Sequence, residues 1–568
     1  MLNLIKLHKE FILGLVLTLS LLGPLFSAPY FSHHDDVQVI RLNQMDKCIK
    51  DGQFPCRWVP DLGGLYGYPL FNYYAPLPYY FGEIIYLFAN NFIFSAKIMF
   101  AFSFVGSYIF MYLLASKFWG KMGGAVSAIF YSFAPYHAVD FYVRGAMGEM
   151  WGLMLFPAVL WAVIKLYERI SIGNLLLFSI LLAALISSHN LSTMIFLPIL
   201  VLSLVILYFK KRSQRFLWFS LGSIFLGILL SSFYLLPMLV EKNLVHVETT
   251  TYGYFSYTEH FKGLRKVIFD RSWGWGASVR EVPGGERDGM SFQVGWIHLL
   301  AWGLALFSAK LIWKKNKWLS LIIIFSSIAI TLSIFMIHPR SVWIWNFIDP
   351  LKFLQFPWRF LQLVIFFISF IAGSIMLLER RKKELFLTLV IAVVLFNFSF
   401  FKPEKYLYVS DSEYLTGINW DKQIKRSIYD YLPISAKEPP AELATENYQI
   451  LTGDTEISNF QEGTNWFKFQ AEVDSHSIIR LSQYYFPDWK IFVDGKETNF
   501  EYKDNTLGLM TIILGEGQHN IEGRLFDTPV RLIGNLLTIL GLAATSLLFI
   551  LPSKVFRKWF LYYKNRIS

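Results

Sequence analysis

His33-His34-Asp35-Asp36 sets two imidazoles and two carboxylates side by side just after a first apolar run. A carboxylate beside a membrane can take a proton from a hydroxyl, or hold a divalent cation (Mg or Mn) that does so. Adjacent residues do not face the same way on a helix or strand, so Asp35 and Asp36 have different jobs. Either can instead cap the amphipathic helix predicted by the spacing of Val37, Ile40, Met45, Cys48 and Ile49. His34 with Asp35 is the candidate metal pair, and the competing reading of His34 is a solvated histidine at the membrane interface.

Other polar residues interrupt apolar surroundings. Arg144 and Glu149 border one span, either as a simple ion pair or with Arg144 free to bind a phosphate. His189-Asn190 lies between two apolar runs, as a functional pair or a hydrogen-bonded cap. Arg359, in Leu354-Gln-Phe-Pro-Trp-Arg-Phe360, opens another span. An arginine at the hydrocarbon boundary must be paired, snorkel or meet an anion such as a lipid phosphate, whose shape suits its planar fork. The stretch from Gln53 to Tyr80 holds Arg57 and Tyr73 and is rich in Gly, Pro and aromatic residues. That composition suits an ordered irregular loop whose rings stack on sugars or form an interfacial belt. Cys48 and Cys56 lie in the same loop, either as one disulfide facing an oxidising compartment or as two free thiols.

The elements that must position these residues are membrane spans. Of 568 residues, 54% are hydrophobic and only 16% charged, against roughly 25% charged in soluble proteins. Apolar runs near ~20 residues recur along the chain, each long enough to cross a bilayer. A soluble enzyme, a disordered chain and a repeat solenoid are excluded. Spans are expected at Phe11–Ser27, Phe94–Ala115, Gly124–Tyr136, Trp151–Leu166, Leu175–Ser188, Leu191–Phe209, Leu217–Val240, Val294–Ile312, Leu319–Met336, Phe360–Leu378, Leu385–Phe400 and Ile533–Leu551, about twelve in all. Leu77–Phe92 contains Glu83 and ends in Asn90-Asn91, and reads as an interfacial helix.

With the N-terminus inside, the short segments 1–10, 117–121, 165–169, 210–215, 310–317, 379–384 and 554–568 carry a strong basic excess. The long segments 28–93, 137–150, 241–292, 337–358 and 401–530 are then outside and net acidic. The net charge of +11 is thus a topological bias and not a nucleic-acid footprint. Both termini are expected in the cytoplasm of a cell (plasma) membrane protein, with Asp35, Arg144, Glu149, His189 and Arg359 all on the outer face.

The organisation expected is a transmembrane unit over 1–402 with a large first outer loop (28–93), an extracytoplasmic domain over 403–528, and a final transmembrane helix with a basic cytoplasmic tail over 529–568. Alternation in Trp466-Phe-Lys-Phe-Gln-Ala-Glu-Val473 and Ile478-Ile-Arg-Leu-Ser-Gln-Tyr484 predicts strands, and Trp489-Lys-Ile-Phe-Val493 before Asp494-Gly495 predicts a hairpin. The fold class is therefore mainly α and polytopic, with a C-terminal β-sandwich.

Taken together, these stretches resemble the GT-C superfamily of polytopic membrane glycosyltransferases. More closely, the chain resembles the prokaryotic membrane proteins labelled "6-pyruvoyl-tetrahydropterin synthase-related". The resemblance is carried by His34-Asp35, Gln53-Phe-Pro-Cys-Arg-Trp-Val-Pro-Asp61, Gly67-Tyr-Pro-Leu-Phe-Asn-Tyr-Tyr-Ala-Pro-Leu-Pro-Tyr-Tyr80, Tyr142-Val-Arg-Gly145 with Glu149, His189-Asn190 and Gln355-Phe-Pro-Trp-Arg-Phe360. Tyr431-Leu-Pro433, Phe486-Pro-Asp-Trp-Lys490 and Val493-Asp-Gly-Lys496 extend it into the outer domain. The soluble enzyme of that label binds zinc through clustered histidines, which this sequence lacks.

The GT-C resemblance implies a catalytic aspartate early in the first outer loop, matching Asp35, and a polyprenyl-phosphate-linked sugar donor. Asp36 follows where relatives carry a small residue, so the assignment between the two stays open. The implied reaction moves a sugar to an extracytoplasmic glycan, lipid or envelope-polymer acceptor. Arg359, Arg144, His189, Glu149, Arg57 and Tyr73 are then the candidate donor contacts, with membrane lipids around them. The alternative classes are a carrier of lipid-linked saccharides and a structural envelope protein.

Overall fold

The computed structural model describes residues 9–279, 289–378, 381–427 and 431–550. The chain is mainly helical. The helices that matter below are α1 (Lys9–Ser20), α2 (Gln38–Lys50), α3 (Leu77–Ala89), α4 (Phe92–Ser132), α5 (Met147–Glu168), α6 (Ile172–Ser188), α7 (Asn190–Lys211), α8 (Gln214–Val240), α9 (Trp296–Ile312), α10 (Lys317–Ile337), α11 (Pro357–Leu377), α12 (Lys382–Phe400) and α13 (Pro529–Ile550). Among the described residues, eight of these (α4, α5, α7, α8, α10, α11, α12 and α13) are long and apolar enough to cross a membrane. The apolar helices α6 and α9 are shorter.

Backbone breaks explain where the expected spans and the observed helices differ. Hydropathy counts apolar residues, and it does not register where the hydrogen-bond ladder stops. The expected span Phe11–Ser27 is the 12-residue α1, followed by a separate short helix, Gly23–Phe26, that starts around Pro24. The expected span Phe94–Ala115 and most of Gly124–Tyr136 fall within α4, which ends at Ser132 and is interrupted at Gly120 with φ 71° and ψ 178°. Glycine reaches that conformation without a Cβ clash. The chain doubles back there, because a Cβ on Gly124 would collide with the Ser116 side chain, whereas continuous helix would hold the two residues about 12 Å apart. The interfacial helix of the sequence reading is α3. It buries Tyr79, Gly82 and Glu83 and leaves Ile84, Leu87 and Phe88 exposed. The basic tail beyond residue 550 lies outside the described residues.

Two short strands, β1 (Tyr30–Phe31) and β2 (Tyr406–Leu407), pair antiparallel and tie the start of the first loop to the entry of the C-terminal region. That region holds β3 (Tyr448–Thr452), β4 (Thr455–Glu462), β5 (Trp466–Val473), β6 (Ser477–Tyr484), β7 (Trp489–Val493), β8 (Lys496–Thr498), β9 (Leu509–Leu514) and β10 (Gly517–Leu525). They form a five-stranded sheet in the order β4-β5-β10-β7-β8 and a three-stranded sheet in the order β3-β6-β9. Phe467, Phe469, Ala471 and Val473 alternate inward along β5, and join Ile479, Leu481, Ile512 and Leu514 of the other sheet in one hydrophobic cluster.

Cys48 and Cys56 form a disulfide, which settles the choice the sequence left open. The loop it closes docks on the sheets. The Asp51 carboxylate accepts from Thr464 N and Oγ1, both at 2.7 Å, and from Trp466 Nε1 at 3.0 Å. Trp58 packs on Phe486 and Trp489, with ring centroids 5.8 and 5.9 Å away.

Candidate functional site

The site is assembled around one irregular turn. Val139–Arg144 is a wide helical turn closed by Gly145 at φ 63°. A Cβ on Gly145 would collide with the His33 ring, so the glycine lets residues 33–35 lie directly on the turn. Backbone bonds fix them there: His34 N donates to Val143 O at 3.0 Å and Asp35 N to Arg144 O at 2.8 Å. Gln38 Nε2 adds a bond to Gly145 O at 2.9 Å.

This geometry separates the two neighbouring aspartates. Asp36 receives the Tyr414 hydroxyl. Asp35 is exposed, and its carboxylate has no partner among the described residues. The acceptor-only, solvent-facing group is therefore Asp35.

Beneath it lies a buried ion cluster. Arg144 Nη1 donates to Glu149 Oε2 at 2.7 Å and also to Asp140. Arg359 Nε lies 3.4 Å from the same Glu149 oxygen, and the Tyr136 hydroxyl donates to Glu149 Oε1 at 2.5 Å. Asp140, Glu149, Arg144 and Arg359 are 0, 1, 5 and 7% exposed. Burial, reinforced by the Glu149 charge, pushes the Asp140 carboxyl well above the usual carboxylate range, against the pull of Arg144. The Arg144 guanidinium also lies over the Trp358 ring, 4.6 Å from its centroid.

The two arginines are spent differently. Arg144 serves two carboxylates, so the ion-pair alternative is realised. Arg359 gives Nη1 to Leu354 O at 2.7 Å and to Gln355 Oε1 at 3.2 Å. Its Nε is buried without a hydrogen-bond partner. Arg359 is thus the cation with unspent donors.

His189 caps α7: its Nδ1 accepts from Ser192 N at 3.2 Å. The ring proton therefore sits on Nε2. Burial, with Arg359 and Arg144 nearby, holds the imidazole down at about 3 despite Glu149, so it is neutral. The Ser192 hydroxyl lies 2.6 Å from the same Nδ1 and 2.7 Å from the Gln362 side-chain amide. Gly148 and Gly152 of α5 make room for this corner. A Cβ at Gly148 would lie 2.9 Å from His189 Cδ2, and one at Gly152 would lie 2.7 Å from Ser192 Cβ.

Three expectations are corrected. Arg57 and Tyr73 do not join this site. Arg57 is buried against Asn72, Phe233 O and Asn535, and Tyr73 gives its hydroxyl to Glu241 O at 2.8 Å. Both are consumed by packing between the first loop, α8 and α13. His34 and Asp35 do not form a ready metal site either. His34 Nε2 is bonded to Trp275 O at 2.7 Å, and no group of three or more His, Cys, Asp or Glu side chains among the described residues could hold a metal. The donor set does not fit a resident cation. Asp140, Tyr136, Ser192 and Gln362 belong to the cluster although the sequence reading did not single them out. Of these only Asp140 had a signal, its i,i+4 spacing to Arg144.

Fold and site define a polytopic membrane protein with a buried ion cluster at the heads of its helices, roofed by one open carboxylate. The family model for the 6-pyruvoyl-tetrahydropterin synthase related domain, a membrane protein, matches residues 71–402. That is more than half of the chain and includes Arg144, Glu149, His189 and Arg359, and the chain belongs to this family. An uncharacterized protein of Lactococcus lactis subsp. cremoris (strain MG1363) is 24% identical over 284 residues, 48% of this chain and 44% of that protein. The chain thus matches less than half the length of that relative.

Proposed function

We propose that the chain is a GT-C-type membrane glycosyltransferase that moves a sugar from a polyprenyl-phosphate donor to an extracytoplasmic acceptor, a glycan, lipid or envelope polymer. We read its heads-of-helices end as the outer face of a cell membrane, with about twelve crossings, both termini cytoplasmic and the two sheets as a sandwich on that face. One observation carries the reading. Asp35, exposed and unpartnered, is locked by backbone bonds onto the turn that bears Arg144, above the unspent donors of Arg359.

In this mechanism the Asp35 carboxylate takes the acceptor hydroxyl proton. The acceptor oxygen bonds to the anomeric carbon. The bond from that carbon to the phosphate oxygen breaks, and its electron pair leaves on polyprenyl phosphate. Arg359 and the His189 Nε2–H are fixed donors for the charge that develops there. Arg144 and Glu149 are positioning residues that hold Arg359 and the turn under Asp35. No step is routed through a metal.

The test is a panel of polyprenyl-phosphate sugars with purified protein, measuring released polyprenyl phosphate. Asp35→Asn should lower release by roughly 10²–10⁴-fold, while Asp36→Asn, which changes a Tyr414 contact, should lower it far less. Full turnover by the Asp35→Asn chain overturns the assignment. No release from any donor by folded protein overturns the transferase reading in favour of a carrier or scaffold.

A further inference from the structure

The opposite end of the same helices holds a second feature. α4, α5, α7, α10 and α11 enclose a cavity of about 520 Å³. Most of α5, about 28 Å of helix, separates Glu149 in the site above from Glu168 at the mouth of this cavity. Its walls are apolar and drawn from several helices, among them Val163, Ile164, Phe325 and Phe366. They extend from Leu160 to Tyr167 along α5, a depth of about 10 Å.

The mouth is charged, and its charges are unevenly paired. Lys117 is bonded to Glu168 at 2.6 Å. Lys211 donates to Tyr167 O at 2.7 Å. Lys210 is exposed, its ammonium 3.5 Å from the centroid of the Trp318 ring, with no carboxylate partner among the described residues. Two lining lysines, Lys117 and Lys210, thus face one glutamate. A purely apolar ligand would leave Lys210 unused, and a soluble anion would leave the apolar depth empty. A ligand with an anionic head and a hydrocarbon tail satisfies both.

We propose that this cavity seats one acyl chain of an anionic phospholipid whose headgroup meets Lys210. The site lies on the lysine-rich side, the side that the charge bias assigns to the cytoplasmic leaflet, where anionic lipids concentrate. The proposal does not depend on the transferase reading, because it uses none of its residues.

Native mass spectrometry of the delipidated full chain, offered phosphatidylglycerol, phosphatidylcholine or soluble glycerol phosphate, tests it. Phosphatidylglycerol should be retained over phosphatidylcholine, and glycerol phosphate not retained. Lys210→Gln should cut phosphatidylglycerol retention about fivefold, Lys210→Arg should keep it, and Ile164→Trp, which fills the cavity, should abolish it. Equal retention of the two phospholipids, or unchanged retention by either Lys210→Gln or Ile164→Trp, overturns the proposal. So does loss in Lys210→Arg. Binding of glycerol phosphate as tight as that of the lipid would overturn the acyl-chain part.

Discussion

Two buried arginine networks share a composition and differ in what surrounds them. At the head of α5, Arg144 and Arg359 converge on Glu149, and an exposed carboxylate, Asp35, stands beside them. Where α13 meets the first loop, Arg57 spends Nη1 on Asn72 and Phe233 O, spends Nη2 on Asn535, and holds Asp527 at 3.2 Å. There Arg531 pairs with Glu241 at 2.9 Å and is 1% exposed. Burial pulls the Arg57 guanidinium below its ordinary range against the support of Asp527, yet it stays charged. The second network ties α13 to residues 57–73, and it too keeps buried donors without a hydrogen-bond partner, Arg57 Nε and Arg531 Nη2. A buried arginine is therefore not in itself a sign of a ligand. What marks the first network is the open acceptor, Asp35, standing next to its unspent donors.

The contrast can be broken by exchanging the lesion. Arg359→Met should lower polyprenyl-phosphate release by roughly 10²–10³-fold while moving the unfolding midpoint little, since Glu149 keeps Arg144. Arg57→Met should do the reverse. It leaves the buried Asn72 and the half-buried Asp527 short of a partner at a cost of about 1–3 kcal/mol in stability, with turnover per folded molecule retained. Calorimetry beside the release assay decides, and an Arg57→Met chain that folds fully but has lost turnover would erase the distinction.

A smaller effect tests the cap. His189→Ala removes the acceptor for Ser192 N and should cost about 1 kcal/mol. It should also flatten one limb of the stability–pH curve. The imidazole is held at about 3 in the folded chain, below its ordinary value near 6.5. Its contribution is therefore complete above about pH 6.5 and is lost as pH falls towards 3.

Glu83 on α3 should show the opposite sign. Burial, then the nearby Asp46 charge, raise its carboxyl to about 7 against the pull of Lys50. Its protonated form is favoured in the fold, so its contribution is complete below the ordinary value near 4.3 and is lost as pH rises through 7. Glu83→Gln should raise the unfolding midpoint at pH 8 and leave it unchanged at pH 4. A midpoint that does not respond at pH 8 would remove Glu83 from the comparison.

Much of this was legible in the sequence, and the illegible parts share a cause. Charged residues stranded at the ends of apolar runs are costly, so Asp35, Arg144, Glu149, His189 and Arg359 stood out by position alone. The strand β5 was readable from its period of two, and α3 from Glu83 within an apolar stretch. What could not be read was which groups are already spent. Asp36 is bound by Tyr414, 378 residues away, and no local pattern reports that. Arg57 lies in an aromatic loop of the kind that greets sugars, but its partners Asp527 and Asn535 are on or beside α13. The expected spans and the observed helices part company where Pro24 and Gly120 interrupt the backbone without lowering the hydropathy around them.

The pairing of β1 with β2 has a consequence for synthesis. Residues 30–36, which carry Asp35, emerge early from the ribosome, but the strand that holds them comes from residues 406–407 and the Tyr414 clasp on Asp36 follows it. At ordinary translation speeds the interval is on the order of tens of seconds. Throughout it the helices bearing Arg144, His189 and Arg359 are inserted one after another beside a loop not yet fastened. Assembly of the site therefore waits on the C-terminal half of the chain, and a product cut short before residue 406 would carry every charged residue of the cluster without the strand that fastens Asp35 over it.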